Sequence, residues 1–144
     1  MSSASARNKP KPTFSKYLSH ATLVSMYNSI VSVEYQDFRV VSTVLHLIIE
    51  VCLKKLALYY GLEISLNSHS LNNLLFELQP HDSVVASVSK ELGRRGELRY
   101  LQQFPYDDLR FNEDAKIPKI TLKTMADVAY TLLARLNYIE GSGF

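Results

Sequence analysis

Between Asp37 and Tyr60 the chain runs for 24 residues with neither glycine nor proline, and Val, Leu and Ile fall on most sides of it. Strands in globular domains seldom pass about 10 residues, so the β propensity of Val40 to Leu45 gives way to a helix. Asp37 is placed to cap its start and Gly61 to stop it. A helix that is apolar on most sides must be covered by neighbours on several faces. This one segment therefore demands an assembly of helices around it.

The rest of the chain supplies them. A first helix is expected from about Thr13, as its cap, to Val31, with Phe14, Tyr17, Leu18, Ala21, Val24, Ile30 and Val31 at helical spacing. Val33 to Gln36 makes a turn. Ser68 or Ser70 caps a short helix carrying Leu71, Leu74, Leu75 and Leu78, which Pro80 ends. Asp82 starts another, with Val84, Val85, Val88 and Leu92 on one face and Gly93 closing it. A last helix is expected from about Lys123 to Tyr138, capped by Thr121 or by Thr124 paired with Asp127. Its buried stripe is Met125, Val128, Ala129, Leu132, Leu133, Leu136 and Ile139. The fold class that follows is all-α: an antiparallel four- to five-helix up-and-down bundle. Residues 96–118 form a long irregular stretch, a length usually kept for function or movement; Leu98 to Phe104 adds a helical turn within it.

Charge divides the chain into two parts. Residues 1–16 carry Arg7, Lys9, Lys11 and Lys16 and no acid, leaving 12 basic and 14 acidic side chains for the remainder. Residues 1–12 read as a flexible basic tail and 13–144 as a single helical-bundle domain. The nearly neutral body lacks the strong positive excess common in domains that wrap nucleic acid. The first residues have neither the apolar core of a secretory signal nor the Arg-rich pattern of a transit peptide, and no apolar run reaches the roughly 18 residues of a membrane span. A cytoplasmic protein with no membrane contact is expected. The single cysteine, Cys52, excludes an internal disulfide and a cysteine-built zinc site, and reads as a small buried hydrophobe.

Two groups of side chains carry chemistry. Arg39, Thr43, His46, Glu50 and Lys54 lie within about 80° of one helix face, a polar line across an apolar helix. As a functional group it would handle phosphate or protons, or meet its own copy across a two-fold axis. As a structural one it is a solvated edge laced by four-apart pairs. Arg94, Arg95, Arg99 and Arg110 cluster in sequence with Tyr100, Phe104 and Tyr106. Arginine forks bind phosphate and aromatic rings stack on bases, so Arg94, Arg95, Arg99, Tyr100 and Arg110 are the ligand-binding candidates. Glu91, Glu97, Asp107 and Asp108 sit among them, and salt-bridged loop packing is the plainer reading. His20 reads as a helix-surface residue. No histidine spacing suits a metal, no Gly-rich loop cradles phosphate and no Ser sits in a nucleophile elbow. No metal and no cofactor are expected.

Three segments together resemble the HEPN domain, a small helical bundle found in prokaryotic toxins, defence proteins and nucleotidyltransferase partners. Asp37-Phe38-Arg39 through Glu50 and Lys54 to Gly61 is similar to the family's long helix, and Ser68-His69-Ser70-Leu71-Asn72-Asn73-Leu74 to its His-x-Leu-x-x-Leu helix start. Tyr106 to Phe111 is similar to its Arg-Tyr-Pro loop, with Phe111 in place of Tyr and Asn112 in place of Pro. The match spans roughly residues 37–140. It implies a HEPN-like bundle, a homodimer, a turn-fixing role for His69, and work in defence, counter-defence or toxin–antitoxin systems. Members that cut RNA carry an Arg and a His roughly four to six residues apart near the last helix, as acid–base and charge-stabilising groups. Here no His follows His81, and the last helix offers only Arg135. The first expectation is thus a domain that binds a nucleotide, an RNA or a partner protein without cutting. A second is a metal-independent ribonuclease using Arg39 and His46, which have six residues between them. A third is a pure protein-interaction module or inhibitor docking on a larger complex.

Overall fold

The computed structural model describes residues 17–31, 37–63, 71–94, 112–114 and 119–141. These residues form five α-helices and no strand: α1 (His20–Val31), α2 (Phe38–Tyr59), α3 (Leu71–Leu78), α4 (Ser83–Arg94) and α5 (Lys119–Gly141). The protein is an all-α bundle.

Hydrogen-bonding side chains set the helix starts. Ser19 Oγ accepts from the Thr22 N–H at 3.1 Å, so α1 begins at His20. The expected start at Thr13 falls outside the described residues, and Tyr17 to Ser19 are not helical. Asp37 accepts from the Arg39 N–H at 2.7 Å and caps α2 as expected. Asp82 Oδ1 accepts from the N–H groups of Val84 and Val85 at 2.9 and 3.0 Å, capping α4. Each such bond satisfies a donor that the first helical turn leaves without a partner. The last helix departs from expectation. It starts at Lys119, directly after Pro118, and Thr121 and Thr124 lie buried inside it. The Thr124 hydroxyl donates back to the Ile120 carbonyl at 3.0 Å instead of capping. Ile120 is exposed, and the inward positions of the first turn of α5 go to buried Thr121 and partly buried Leu122, so the apolar stripe announces it only weakly. Gly61 adopts φ +71°, the left-handed conformation that ends helices cheaply only at glycine. Gly93, by contrast, stays inside α4, which runs on to Arg94. The expected turns at 33–36 and 98–104 and the caps Ser68 and Ser70 lie outside the described residues.

Side-chain links give the directions. Lys55, near the end of α2, donates to the Leu18 carbonyl just before α1, so α1 and α2 are antiparallel. Arg39 at the start of α2 donates to the carbonyls of Asn112 and Glu113, ahead of α5, and Tyr60 at its end meets Arg135 late in α5. Helices α2 and α5 therefore run the same way, and they pack most extensively of all pairs. Asp82, at the start of α4, also reaches Arg135, so α4 opposes α5. The long helices alternate down the chain, and α3 fills the side of α2 toward α4. The core is Leu23 of α1, the Leu45–Ile48–Ile49–Leu53–Leu56 face of α2, all four leucines of α3, Val85 and Leu92, and the Met125–Leu132–Leu136 stripe of α5. Full burial of one such side chain stabilises the fold by about 1.5–3 kcal/mol. Cys52 is wholly buried among them, and burial pushes its thiol up to about 12, opposed in part by Lys55. No helix among the described residues is long and apolar enough to cross a membrane.

Candidate functional site

The polar line on α2 is an interior feature. His46 and Lys54 are buried and Glu50 is nearly so, which excludes the solvated edge that four-apart spacing suggests. Lys54 Nζ donates to Glu50 Oε2 at 2.9 Å, and Glu50 Oε1 stands 3.9 Å from His46 Nδ1. Spacing cannot tell an exposed pair from a buried one; here the surrounding packing removes the line from water. Arg39 lies two helical turns from His46, about 10 Å along the axis. Its guanidinium is engaged by the Asn112 and Glu113 carbonyls and lies 4.7 Å over the Phe38 ring. The chain thus places Arg39 at a tether and the His46 imidazole in the interior, not side by side in an open cleft.

Of the arginine cluster, Arg94 is exposed and held by Glu91, with Nη2–Oε1 at 2.6 Å and Nε–Oε2 at 3.1 Å. Hydrogen bonding to Glu91, then its charge, raises the Arg94 pKa. Arg95, Arg99, Tyr100 and Arg110 lie outside the described residues, as does His69. His20 is half-buried and its Nε2 lies 3.0 Å from the Leu133 carbonyl, so its ring is a link between α1 and α5. Because a carbonyl only accepts, Nε2 carries the proton there.

A different group forms the most developed polar site among the described residues. It gathers at the end of the bundle where α2 stops, α4 starts and α5 passes. Asp82 is buried in the turn between α3 and α4. Its Oδ2 accepts from the Tyr60 hydroxyl at 2.6 Å and from Arg135 Nε at 3.0 Å, while its Oδ1 caps α4. Arg135 Nη2 donates to the Tyr60 oxygen at 3.5 Å, closing the triangle. Rings surround it. Tyr59 meets Tyr60 edge-on at 4.9 Å, His81 lies 5.9 Å from Tyr60, and the Arg135 guanidinium stands 5.5 Å over the Tyr138 ring. Tyr138 is 70% exposed and Tyr59 41%. His81 is exposed too, and the Arg135 side chain keeps about a fifth of its surface in solvent.

The electrostatics follow from this geometry. Burial alone would raise the Asp82 pKa, but hydrogen bonds from Tyr60, the Val85 N–H and Arg135 outweigh it and hold the carboxyl below its ordinary value. Burial first, then donation to Asp82, pushes the Tyr60 phenol up. The bond to Tyr60 and the pairing with Asp82 raise Arg135 against the opposing effect of burial. The result is a charge-balanced anchor, built on half-buried Tyr60, with two exposed tyrosines, Tyr59 and Tyr138, and an exposed imidazole at one edge. Its members come from three separate places in the sequence, Tyr59-Tyr60 before Gly61, His81-Asp82, and Arg135 with Tyr138 three residues on, and nothing local links the three. Among the described residues no group of three or more His, Cys, Asp or Glu could hold a metal ion.

Compared with protein-family models, curated proteins and solved structures, the chain matches none of them.

Proposed function

We propose that this chain is a HEPN-like helical domain that binds without cutting, and that its ligand is a nucleotide or a single-stranded RNA. The observation that carries the reading is a chain of exposed rings at one edge: Tyr59 and His81 flank Tyr60, and Tyr60 bonds to the partly exposed Arg135, whose guanidinium lies over the exposed Tyr138 ring. Exposed rings take bases by stacking whatever their sequence, and a guanidinium adds attraction for π faces and phosphate. Because Asp82 balances Arg135, stacking supplies most of the affinity at this edge, and phosphate contacts fall to Arg95, Arg99 and Arg110. The burial of His46 and the engagement of Arg39 favour binding over the ribonuclease alternative. On this reading the domain works in the cytoplasm as a homodimer, within a defence, counter-defence or toxin–antitoxin setting.

Fluorescence anisotropy with a labelled single-stranded RNA tests it. Tyr138→Ala weakens binding by about tenfold, as loss of one stacked base does, and leaves the thermal midpoint nearly unchanged because the ring is exposed. Arg99→Ala lowers affinity at every sequence and reduces the salt slope by about one contact. The RNA is recovered at full length. Affinity that ignores both substitutions defeats the proposal, and cleavage abolished by His46→Ala replaces it with the ribonuclease.

A further inference from the structure

A groove of about 260 Å³ separates α1 from α5, away from the arginine–tyrosine edge. Val24, Leu133 and Ala134 form its apolar surface, Tyr27 and Tyr130 stand together, and Asn28 and Asn137 contribute amides. The two tyrosine rings have centroids 6.1 Å apart and are tilted by 49°, so they make an open V and not a parallel slot. A base sandwiched between rings needs parallel planes about 7 Å apart, twice a van der Waals contact of about 3.5 Å. The V excludes that arrangement but suits a compact, rounded group that touches both faces.

No lysine, arginine or carboxylate lines the groove itself, and the charge that acts on its tyrosines comes from beside it. Asp127 lies one turn before Tyr130 on α5 and is exposed; it lines the neighbouring groove between α4 and α5, beside this one on the same helix. Among the described residues no basic side chain stands within ion-pairing distance of its carboxylate. The Tyr27 phenol is pushed up by burial and then by the charge of Asp127, which puts that carboxylate within electrostatic reach of the V. His20, the one ionisable nitrogen in the lining, already bonds the Leu133 carbonyl. Anions are therefore disfavoured here. Ring faces attract cations, most strongly those that shed water easily, and the apolar surface accepts alkyl groups. The volume lies just below the about 300–1,000 Å³ of ordinary ligand cavities, the size for a head group and little more.

We infer that the groove between α1 and α5 is a binding site for a small organic cation, a protonated or quaternary alkylamine seated against Tyr27 and Tyr130 with Asp127 as its counter-charge. The inference goes beyond the RNA-binding reading, and its test contains no nucleic acid, so either can fail alone.

The experiment is an NMR titration of the full chain with tetramethylammonium chloride, using sodium chloride at equal ionic strength as control. A second arm uses a peptide bearing trimethyllysine, and a third uses adenosine monophosphate. Saturable shifts confined to residues around Tyr27, Tyr130 and Asn137 are expected with tetramethylammonium. Tyr130→Ala and Asp127→Asn each weaken it about two- to fivefold, the scale of one exposed cation–π contact; Tyr130→Phe, which keeps the ring, leaves it unchanged. A tighter fit for the peptide still supports the site and assigns the cation to a partner's side chain, whereas a tighter fit for free tetramethylammonium assigns it to a metabolite-sized amine. Shifts no larger than those with sodium chloride overturn the inference. So does adenosine monophosphate occupying the groove in place of the amine. Tyr130 is 63% exposed, so its alanine variant keeps the fold, which an unchanged thermal midpoint verifies.

Discussion

Asp82→Ala lowers the stability of this protein by about 3 kcal/mol, the largest effect expected of any single polar substitution in it. The carboxylate is buried and does three things at once: it caps α4, accepts from Tyr60 and pairs with Arg135. Alanine leaves two helix N–H groups without their acceptor and a guanidinium without its counter-charge. Arg135 is only partly exposed, so water relieves just a fraction of that loss. Asp82→Asn keeps an oxygen for the cap and costs about 1.5 kcal/mol, the scale of a hydrogen bond to a charged group. The two variants are ranked by their urea midpoints at constant slope. An alanine variant within 0.5 kcal/mol of the parent, about the scatter of surface changes, refutes the anchoring role. The pH dependence has a fixed sign. The folded carboxyl titrates below its ordinary 3.8, so its contribution is complete above that value and is lost as the pH falls through the lower, folded pKa. The Asn variant lacks that acid limb.

Lys55→Ala has the second largest effect, about 3 kcal/mol from packing and tethering together. Lys55 is almost wholly buried, its Nζ donating to the Leu18 carbonyl at 3.1 Å and lying 3.2 Å from Glu140 Oε1. It thereby binds the approach to α1 and the last turn of α5 onto α2. Methionine keeps the alkyl stem, leaves Glu140 with solvent contact, and loses about 1 kcal/mol through the abandoned carbonyl. Glu140→Ala removes a carboxylate from beside a buried ammonium and costs about 2 kcal/mol. The order Ala, then Glu140→Ala, then Met, read from chemical denaturation, separates packing from charge. If methionine costs as much as alanine, the ammonium carries the stability and the stem does not.

The architecture was legible because helical signals are local. A run of 24 residues without breakers, with Asp37 before it and Gly61 after it, announces α2 whatever surrounds it. Asp82 and the four leucines of α3 were equally readable. The start of α5 was not, since its first turn exposes Ile120 and buries Thr121, against the apolar-in pattern, and Thr124 turns its hydroxyl back into the helix. The candidate site was harder still. Tyr60, Asp82 and Arg135 are separated by 22 and 53 positions and meet only because α2 and α5 run in the same direction. Likewise, the line from His46 to Lys54 was visible as a line, but whether water reaches it depends on the neighbours of α2. Local pattern reports which residues share a face; it does not report what that face meets.

Cys52 makes the bundle a record of its own openings. Its sulfur is sealed in the middle of α2 and keeps its proton at any physiological pH, so a thiol reagent finds a nucleophile there only in molecules whose helices have parted. One cysteine per chain means one chemical mark per opened molecule. With reagent concentrated enough to outpace reclosing, the rate at which that mark accumulates is the rate at which α1, α3 and α5 let go of the helix they enclose.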